Sequence, residues 1–437
     1  MNNKITMKVA SEDLSAAFTT NKDGIIRDNT HAYTLDGNNN KLSKNGMTLK
    51  SKKSKANIIM AGGGTVGIIA GLGCILAGLL IPGAEIGETI FPTIGTSEAT
   101  EETYSILTGD VLTNAEQKNA PIYCIQTPNG TDGARPQAGL NTAGVVFEAV
   151  AEAGITRFAA IYQAPTTAII GPIRSLRTYY LQWDTPFDCT IVHAGGSGDA
   201  LAAISNGGYK NLDEDYSYMY RGDHGGRLWN NLFTTSAMLS KFSSEHNYNS
   251  DKARGFTRMT PAESEKSRID SLAAEKLDIT KPAEGDTSAL ESAVTSVAIK
   301  FGGVASFNVN YSYDATSNKY LRSYETGVPH EVYSCEATDL GEKNPEDVCS
   351  LTQMAPSVVI AMVVQESIAA DNYHEDITTV GTGDAFVFQN GTAIRGSWGK
   401  DSVADQIKFT DAEGEEIRLA PGQTIISAIP GYGSVDF

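Results

Sequence analysis

The chain is short of basic residues: 34 Lys and Arg stand against 52 Asp and Glu, a formal net charge of −18 at pH 7. A nucleic-acid duplex demands a concentrated basic surface, so no nucleic-acid partner is expected. The short catalytic and cofactor motifs are missing as well. There is no Walker A sequence, no dinucleotide fingerprint, no HExxH pair, no EF-hand loop and no CxxC. Those absences argue against a nucleotide-driven, zinc-dependent or redox enzyme, so neither a cofactor nor a metal is expected. No repeat of fixed period is visible.

Cysteine is sparse, with five in the chain. Cys74 lies inside an apolar run, where it is a small hydrophobe. Cys335 and Cys349 are fourteen residues apart in EVYSCEATDLGEKNPEDVCS, an insertion too poor in apolar residues to order itself. A disulfide closing that loop is expected. Cys124 and Cys189 each sit in a β-like run and either pair across neighbouring strands or remain free buried thiols.

What the chain does have is one long uncharged stretch, Ala56 to Ala84, directly after Ser51-Lys-Lys-Ser-Lys55. At about 1.5 Å of rise per residue, Ile58 to Ile81 is long enough to cross a hydrocarbon core of about 30 Å. This predicts a single transmembrane helix over 57–82 with its basic flank in the cytoplasm. A cleaved signal peptide has an apolar core of about 7 to 15 residues behind a short basic region, whereas 55 residues precede this one. Residues 1–55 hold ten Lys/Arg against five Asp/Glu, leaving 24 against 47 in the remainder. The expected localisation is therefore the cell membrane, single-pass, with a cytoplasmic N-terminus and an acidic body outside. Gly63, Gly67 and Gly71 are spaced to let two such helices approach closely, so a homodimer through the anchor is a further expectation.

The expected fold class is α+β: the transmembrane helix, a layered α/β domain, then a smaller β-rich domain. Residues 1–55 show no sustained period and read as a disordered tail, and 85–119 as a polar stalk with one short helical turn. In 120–248, PIYCIQT, RFAAIYQA and CTIVHAGG read as strands, SLRTYYLQW as a helix after Arg174, and SGDALAAIS as a helix capped by Ser197. Residues 249–294 are charged and read as a connector with one amphipathic helix. In 295–437, short runs such as SFNVNYSYD, KYLRSYETG, SVVIAMVVQES and QTIISAIP alternate with Asn-Gly, Glu-Gly and Pro-Gly turns.

With these segments placed, the chain resembles the YerB-type family of bacterial lipoproteins, a two-part extracytoplasmic domain whose molecular role is not established. The likeness runs from about 121 to 433. It rests on RPQAGLNTAGVVFE (Arg135 to Glu148), AEAGITRF (Ala151 to Phe158), IGPIRSLRTYY (Ile170 to Tyr180) and VHAGGS (Val192 to Ser197). Further on it rests on YDATSNKYLR (Tyr313 to Arg322), GVPH (Gly327 to His330), GTGDAFVFQNGTAIRGSWGK (Gly381 to Lys400) and FTDAEGEEIRLAPGQTIISAIP (Phe409 to Pro430). Two departures matter. Where the family shows Pro-His-Asn, this chain has Leu228-Trp-Asn-Asn231, so Asn230 replaces the His. Two residues after His330 the family's acid is Val332, which weakens a metal role for His330. The family's usual anchor is a lipid-modified Cys; Gly71-Leu-Gly-Cys74 matches its context only in part, and the apolar run continues past it.

The candidate site residues are Arg157, Arg174, Arg177, His193 and Ser197. Arg157 begins a strand, and Arg174 and Arg177 are one helical turn apart, so their guanidiniums are expected to share a face at a helix start. Convergent arginines at a helix N-terminus hold phosphate or carboxylate. The alternative is structural pairing with Glu148, Glu152, Asp184 or Asp188. His193-Ala-Gly-Gly-Ser197 ends a strand and leads into a helix, where α/β folds place ligands, though no G-x-S-x-G elbow surrounds Ser197.

These features suggest a membrane-anchored, outward-facing binding or scaffold protein of the cell envelope, leaning away from catalysis. The alternative is an envelope enzyme or binder acting on a phosphorylated or pyrophosphate-linked glycan through an arginine-lined pocket. The topology is similar to that of wall-polymer transferases of the LytR-CpsA-Psr type, whose acid and arginine motifs do not align here. Expected partners are the membrane, through 57–82, and an anionic wall glycan or an envelope protein.

Overall fold

Runs such as VVIAMVV and TIISAIP are apolar at consecutive positions, the pattern of strands covered on both faces, and they lie near the middle of the observed sheet. The computed structural model describes residues 102–437, except 166, 223–227, 275–291 and 336–339, together with five short strands near the N-terminus. Those five, Thr6–Met7, Phe18–Thr20, Ile25–Arg27, Ala32–Leu35 and Lys41–Leu42, pair antiparallel in chain order. The tail expected to be disordered thus contains a small meander, whose β-branched and aromatic residues favour strand pairing. The apolar stretch 57–82, with Cys74 and the spaced glycines, lies outside the described residues. Among the described residues no helix is long and apolar enough to cross a membrane.

Thr96–Phe437 is one compact unit, mixed α/β and rich in strand. Its main sheet uses β1 (Ile122–Pro128), β2 (Val145–Glu152), β3 (Ile155–Gln163), β4 (Thr190–His193), β5 (Asn211–Asp213), β6 (Ser292–Ala293), β7 (Val358–Val364), β8 (Gly381–Gln389), β9 (Thr392–Lys400), β10 (Lys408–Thr410) and β11 (Thr424–Pro430). The order is β5-β4-β1-β3-β2-β11-β7-β8-β9-β6, with β10 beside β9. The late strand β11 lies parallel between β2 and β7, pairing Thr424 with both Val145 and Val358. The α/β portion and the β-rich portion foreseen in the sequence therefore share one continuous sheet.

Alternation along the strands sends side chains to two apolar layers. Phe147, Ile161, Ile360 and Ile426 meet helices α1 (Thr178–Asp184) and α2 (Gly198–Asn206) on one face. On the other face, Ile125, Val146 and Phe158 meet α3 (Ser236–His246). Val359, Ala361, Phe388 and Ile429 pack with residues of a four-stranded sheet made of Lys319–Tyr324, Val309–Asp314, Ser296–Lys300 and Ser434–Asp436. Among its described residues the connector has a helix, α4 (Pro261–Ala274). At the β8–β9 hairpin, Asn390 and Gly391 have φ of 54° and 77°. A two-residue type I′ turn needs both in that left-handed region, which the Asn-Gly pair allows.

The expected stalk joins the folded unit in its described part. Leu107 is 1% exposed within the core, and the Gly422 N–H donates to the Thr108 carbonyl at 2.8 Å. Cys335 pairs with Cys349 as expected, Cα atoms 4.6 Å apart. Cys124 also pairs with Cys189, beside the register that sets Ile191 opposite Cys124.

A buried polar network joins the two halves. Glu148 on β2 and Arg322 on Lys319–Tyr324 both have side chains at 0% exposure, and Arg322 Nη2 donates to both carboxylate oxygens, at 3.0 and 2.9 Å. Arg322 Nη1 donates to the Tyr311 hydroxyl at 2.5 Å and its Nε to His330 Nδ1 at 2.9 Å. An arginine only donates, so Nδ1 must be the unprotonated nitrogen. The His330 proton therefore sits on Nε2 and is donated to Gln137 Oε1 at 3.0 Å. Gln137 Nε2 donates on to the carbonyl of Pro128 and to Asn129 Oδ1, which also accepts from Arg135 Nε at 2.9 Å. Three of the segments that carry the family resemblance, 135–148, 313–322 and 327–330, meet here. Both ring nitrogens of His330 are engaged, so it serves this network and offers nothing to a metal.

Two outcomes follow. Arg322→Ala strands a buried carboxylate and lowers unfolding free energy by about 3–5 kcal/mol, whereas Lys266→Ala, which breaks an exposed pair with Asp270, leaves the denaturation midpoint in place. His330 is held well below its ordinary value of 6.5, first by burial and then by the Arg322 and Arg135 charges. The unfolded chain takes up this proton near its ordinary pKa and the folded chain does not. The stability that His330 contributes is thus complete above pH 6.5 and is lost as pH falls below it. Urea midpoints taken from about pH 7.5 to about pH 5 should fall for the wild type and fall less steeply for His330→Asn.

Candidate anion-binding site

The segment before α1 is extended rather than helical. Arg177 occupies the N-cap position with φ −121° and ψ 152°, and Leu176 bridges to Gly196 in parallel fashion. Arg174 and Arg177 are therefore not one helical turn apart on a shared face. Their backbone is tied instead to the strand-end loop after β4: the Ala194 N–H donates to the Arg174 carbonyl at 3.1 Å and the Leu176 N–H to the Gly195 carbonyl at 2.9 Å.

Arg157 and Arg177 converge, but on a protein carboxylate. Arg157 Nη2 lies 2.7 Å from Glu152 Oε1 and Arg177 Nη2 2.6 Å from Glu152 Oε2. Each also donates to a backbone carbonyl, Arg157 Nη1 at Ser175 and Arg177 Nη1 at Leu176, while Arg177 Nε is buried without a partner among the described residues. Burial, then the neighbouring Arg177 charge, brings the Arg157 guanidinium down to about 10. Burial alone would raise Glu152, but Arg157 and Arg177 together hold its carboxyl below the usual range. Of the four carboxylates considered as partners, only Glu152 pairs with these arginines. Glu148 is taken by Arg322, Asp184 accepts from Gln126 Nε2, and Asp188 pairs with Lys210.

His193 is also internal. It is 0% exposed, with Nδ1 2.8 Å from the Gly195 carbonyl and Nε2 2.8 Å from Asn211 Oδ1. Ser197 stands at the N-cap position of α2 as expected, without a capping bond from its side chain.

Arg174 differs from every one of these. It is half-buried and lines a cleft of about 400 Å³ with Trp229, Arg221 and Glu214. Ile173, Ala194 and Leu232 give that cleft its apolar wall. Among the described residues the Arg174 guanidinium has no hydrogen-bond or ion-pair partner, and its Nε is buried without one. Burial pushes its pKa down, while the Glu152 and Asp132 charges act the other way. By contrast Arg221 is fully engaged: it pairs with Glu214, and donates to the Tyr216 hydroxyl at 2.8 Å and to Asn231 Oδ1 at 2.9 Å.

Trp229 is 50% exposed, and its Nε1–H donates to Asp132 Oδ2 at 3.1 Å, which fixes the indole. Asn230 donates to the Asp132 carbonyl at 3.2 Å and so holds the same turn. Sequence reasoning missed Trp229, Arg221 and Glu214 as residues that share the cleft with Arg174. The departure at Leu228-Trp-Asn-Asn231 was the available signal, since it placed an aromatic in a polar loop.

The two outer arginines should separate experimentally. Arg177→Ala removes half of the Glu152 clamp and should lower stability by about 1–3 kcal/mol. Arg174→Ala removes no bond and should shift the denaturant midpoint by less than about 0.5 kcal/mol equivalent.

Residues 107–249 match the family described as "Protein of unknown function (DUF3048) N-terminal domain", and residues 297–426 match its C-terminal domain. A protein of Bacillus subtilis (strain 168) named "Putative lipoprotein YerB" is 28% identical over 306 residues, spanning 69% of this chain and 79% of its own length. The crystal structure of the YerB protein from Bacillus subtilis gives a TM-score of 0.59 at 22% identity, covering 77% of this chain and 100% of that one. At that identity the structural match is a likeness of fold. The two domain matches, with the sequence likeness across both, place the chain in the DUF3048 family of YerB-like proteins, a family of unknown function.

Proposed function

We propose that this chain is a membrane-anchored, outward-facing binding protein of the cell envelope. Its Arg174–Trp229 cleft takes a phosphate- or carboxylate-bearing ligand, of which a phosphorylated or pyrophosphate-linked glycan is the best fit. The observation that carries the reading is the unpartnered Arg174 guanidinium in a walled cleft, while Arg135, Arg157, Arg177, Arg258 and Arg322 all donate to protein acceptors. A fixed, half-exposed indole beside a free guanidinium suits a sugar ring carrying an anion. Binding is favoured over catalysis because the cleft's carboxylate, Glu214, is occupied by Arg221 and by the Tyr216 hydroxyl rather than presented to a substrate. The lipoprotein name of the Bacillus relative supports attachment to a membrane; here the uncharged stretch 57–82 would serve as a single-pass anchor. A scaffold contact with an envelope protein is the second reading, favoured by Ile368 and Tyr373, which are 67% and 62% exposed on one hairpin.

The test is a titration of the full-length protein with inorganic phosphate, pyrophosphate and a polyprenyl pyrophosphate-linked sugar, followed by tryptophan fluorescence. The chain has three tryptophans, and Trp183 and Trp398 are 0% and 2% exposed, so collisional quenching reads Trp229. Protection of Trp229 by the anionic sugar, weakened roughly tenfold or more in Arg174→Ala with an unchanged melting point, is the expected result. No protection by any of the three, or equal protection in Arg174→Ala, would overturn the reading.

A further inference from the structure

A second concavity lies where the parallel strands β2 and β11 begin, roofed by the turn that follows Tyr104. Two clefts of about 210 and 360 Å³ share Thr108, Asp110 and Thr142 and so form one trough. Its size falls within the range of about 300 to 1,000 Å³ usual for small-molecule sites. It is separate from the Arg174 cleft and has no lining residue in common with it.

The trough carries both signs of charge. Asp110 is exposed and lines both clefts. Lys319 lines the larger one, and its Nζ donates to Ser357 Oγ at 2.6 Å. An ammonium has three N–H bonds, so two remain for a ligand. Burial lowers the Lys319 pKa, while the Asp110 charge acts to raise it, which places the two groups within each other's field.

Two buried acceptors in the lining find no donor among the described residues. Asn141 Oδ1 is one, its amide nitrogen being used on Ser334 Oγ at 3.1 Å. Gln163 Oε1 is the other, its amide nitrogen being used on the Lys118 carbonyl at 2.9 Å. A buried acceptor left unpaired is costly, so each favours a ligand that brings N–H groups. Among the described residues the lining contains no aromatic ring, which removes the stacking surface that sugars and nucleobases use.

We infer that this trough binds a small zwitterion of dipeptide size. Its α-ammonium meets Asp110 and Gln163 Oε1, its peptide N–H meets Asn141 Oδ1, and its carboxylate meets Lys319. A simple anion would be repelled at the Asp110 end and a simple cation at the Lys319 end, so both charges on the ligand are needed. The site stands independently of the Arg174 cleft, and its ligand differs in chemistry.

Calorimetric titration of the full-length protein with alanyl-alanine, N-acetyl-alanyl-alanine, alanyl-alanine amide and inorganic phosphate tests it. The free dipeptide should bind, and each blocked form should bind at least roughly tenfold more weakly. Asp110→Asn, an exposed change with little bearing on folding, should weaken the free dipeptide by a similar factor. Lys319→Met should abolish the preference for a free carboxylate. No binding of the free dipeptide up to its solubility limit would overturn the inference. So would equal binding of either blocked form, or phosphate binding as tight as that of the dipeptide.

Discussion

Glu148 and Arg322 come from opposite halves of the chain and meet with no solvent around either. Taking two ions out of water costs several kcal/mol each, and the attraction between them repays it only when the geometry is right and the spare hydrogen-bonding positions are filled. Here they are filled. Thr156 donates to Glu148 at 2.9 Å, while Tyr311 and His330 accept from Arg322. The pairing constrains everything around it, because β2 must lie within reach of Lys319–Tyr324. That fixes how the four-stranded sheet packs on the main one. Arg135 extends the same network to the surface, its guanidinium 3.8 Å from the Tyr324 ring centroid and donating to the Ser306 carbonyl.

Much of the local structure was legible because it depends on neighbours in sequence. PIYCIQT, RFAAIYQA and QTIISAIP became β1, β3 and β11, and the Asn-Gly pair made the hairpin it signals. The strand β2 was missed. Its sequence VVFEAVAE carries two glutamates four residues apart among alanines, which suits a helix as readily as a strand. What makes it a central strand is Arg322 for Glu148, and Arg157 with Arg177 for Glu152, partners that no local pattern can announce. The extended conformation of Arg174 to Arg177 escaped notice for a related reason. Its backbone bonds run to Gly195 and Gln126, residues of other strands and loops.

The candidate site shows the same division. Five residues were singled out for chemistry, and the fold spends the side chains of three of them in its own framework, Arg157 and Arg177 on Glu152 and His193 between Gly195 and Asn211, while Ser197 stands at a helix start without a side-chain cap. Arg174 alone faces a cleft with its donors unspent. Residue type pointed to anion chemistry, but only burial and bonding separate an arginine already satisfied from one that is not.

The position of β11 has a consequence for how the chain comes into being. Its two neighbours, β2 and β7, begin at Val145 and Val358, so one edge of the gap it fills is made nearly three hundred residues before β11 itself. Until residues 424–430 have been synthesised, both edges stay open and the central sheet cannot close. Contacts of such long sequence separation form late and slowly. The strand that locks the central sheet is thus made only after both of its neighbours, and the two halves of the sheet wait for it.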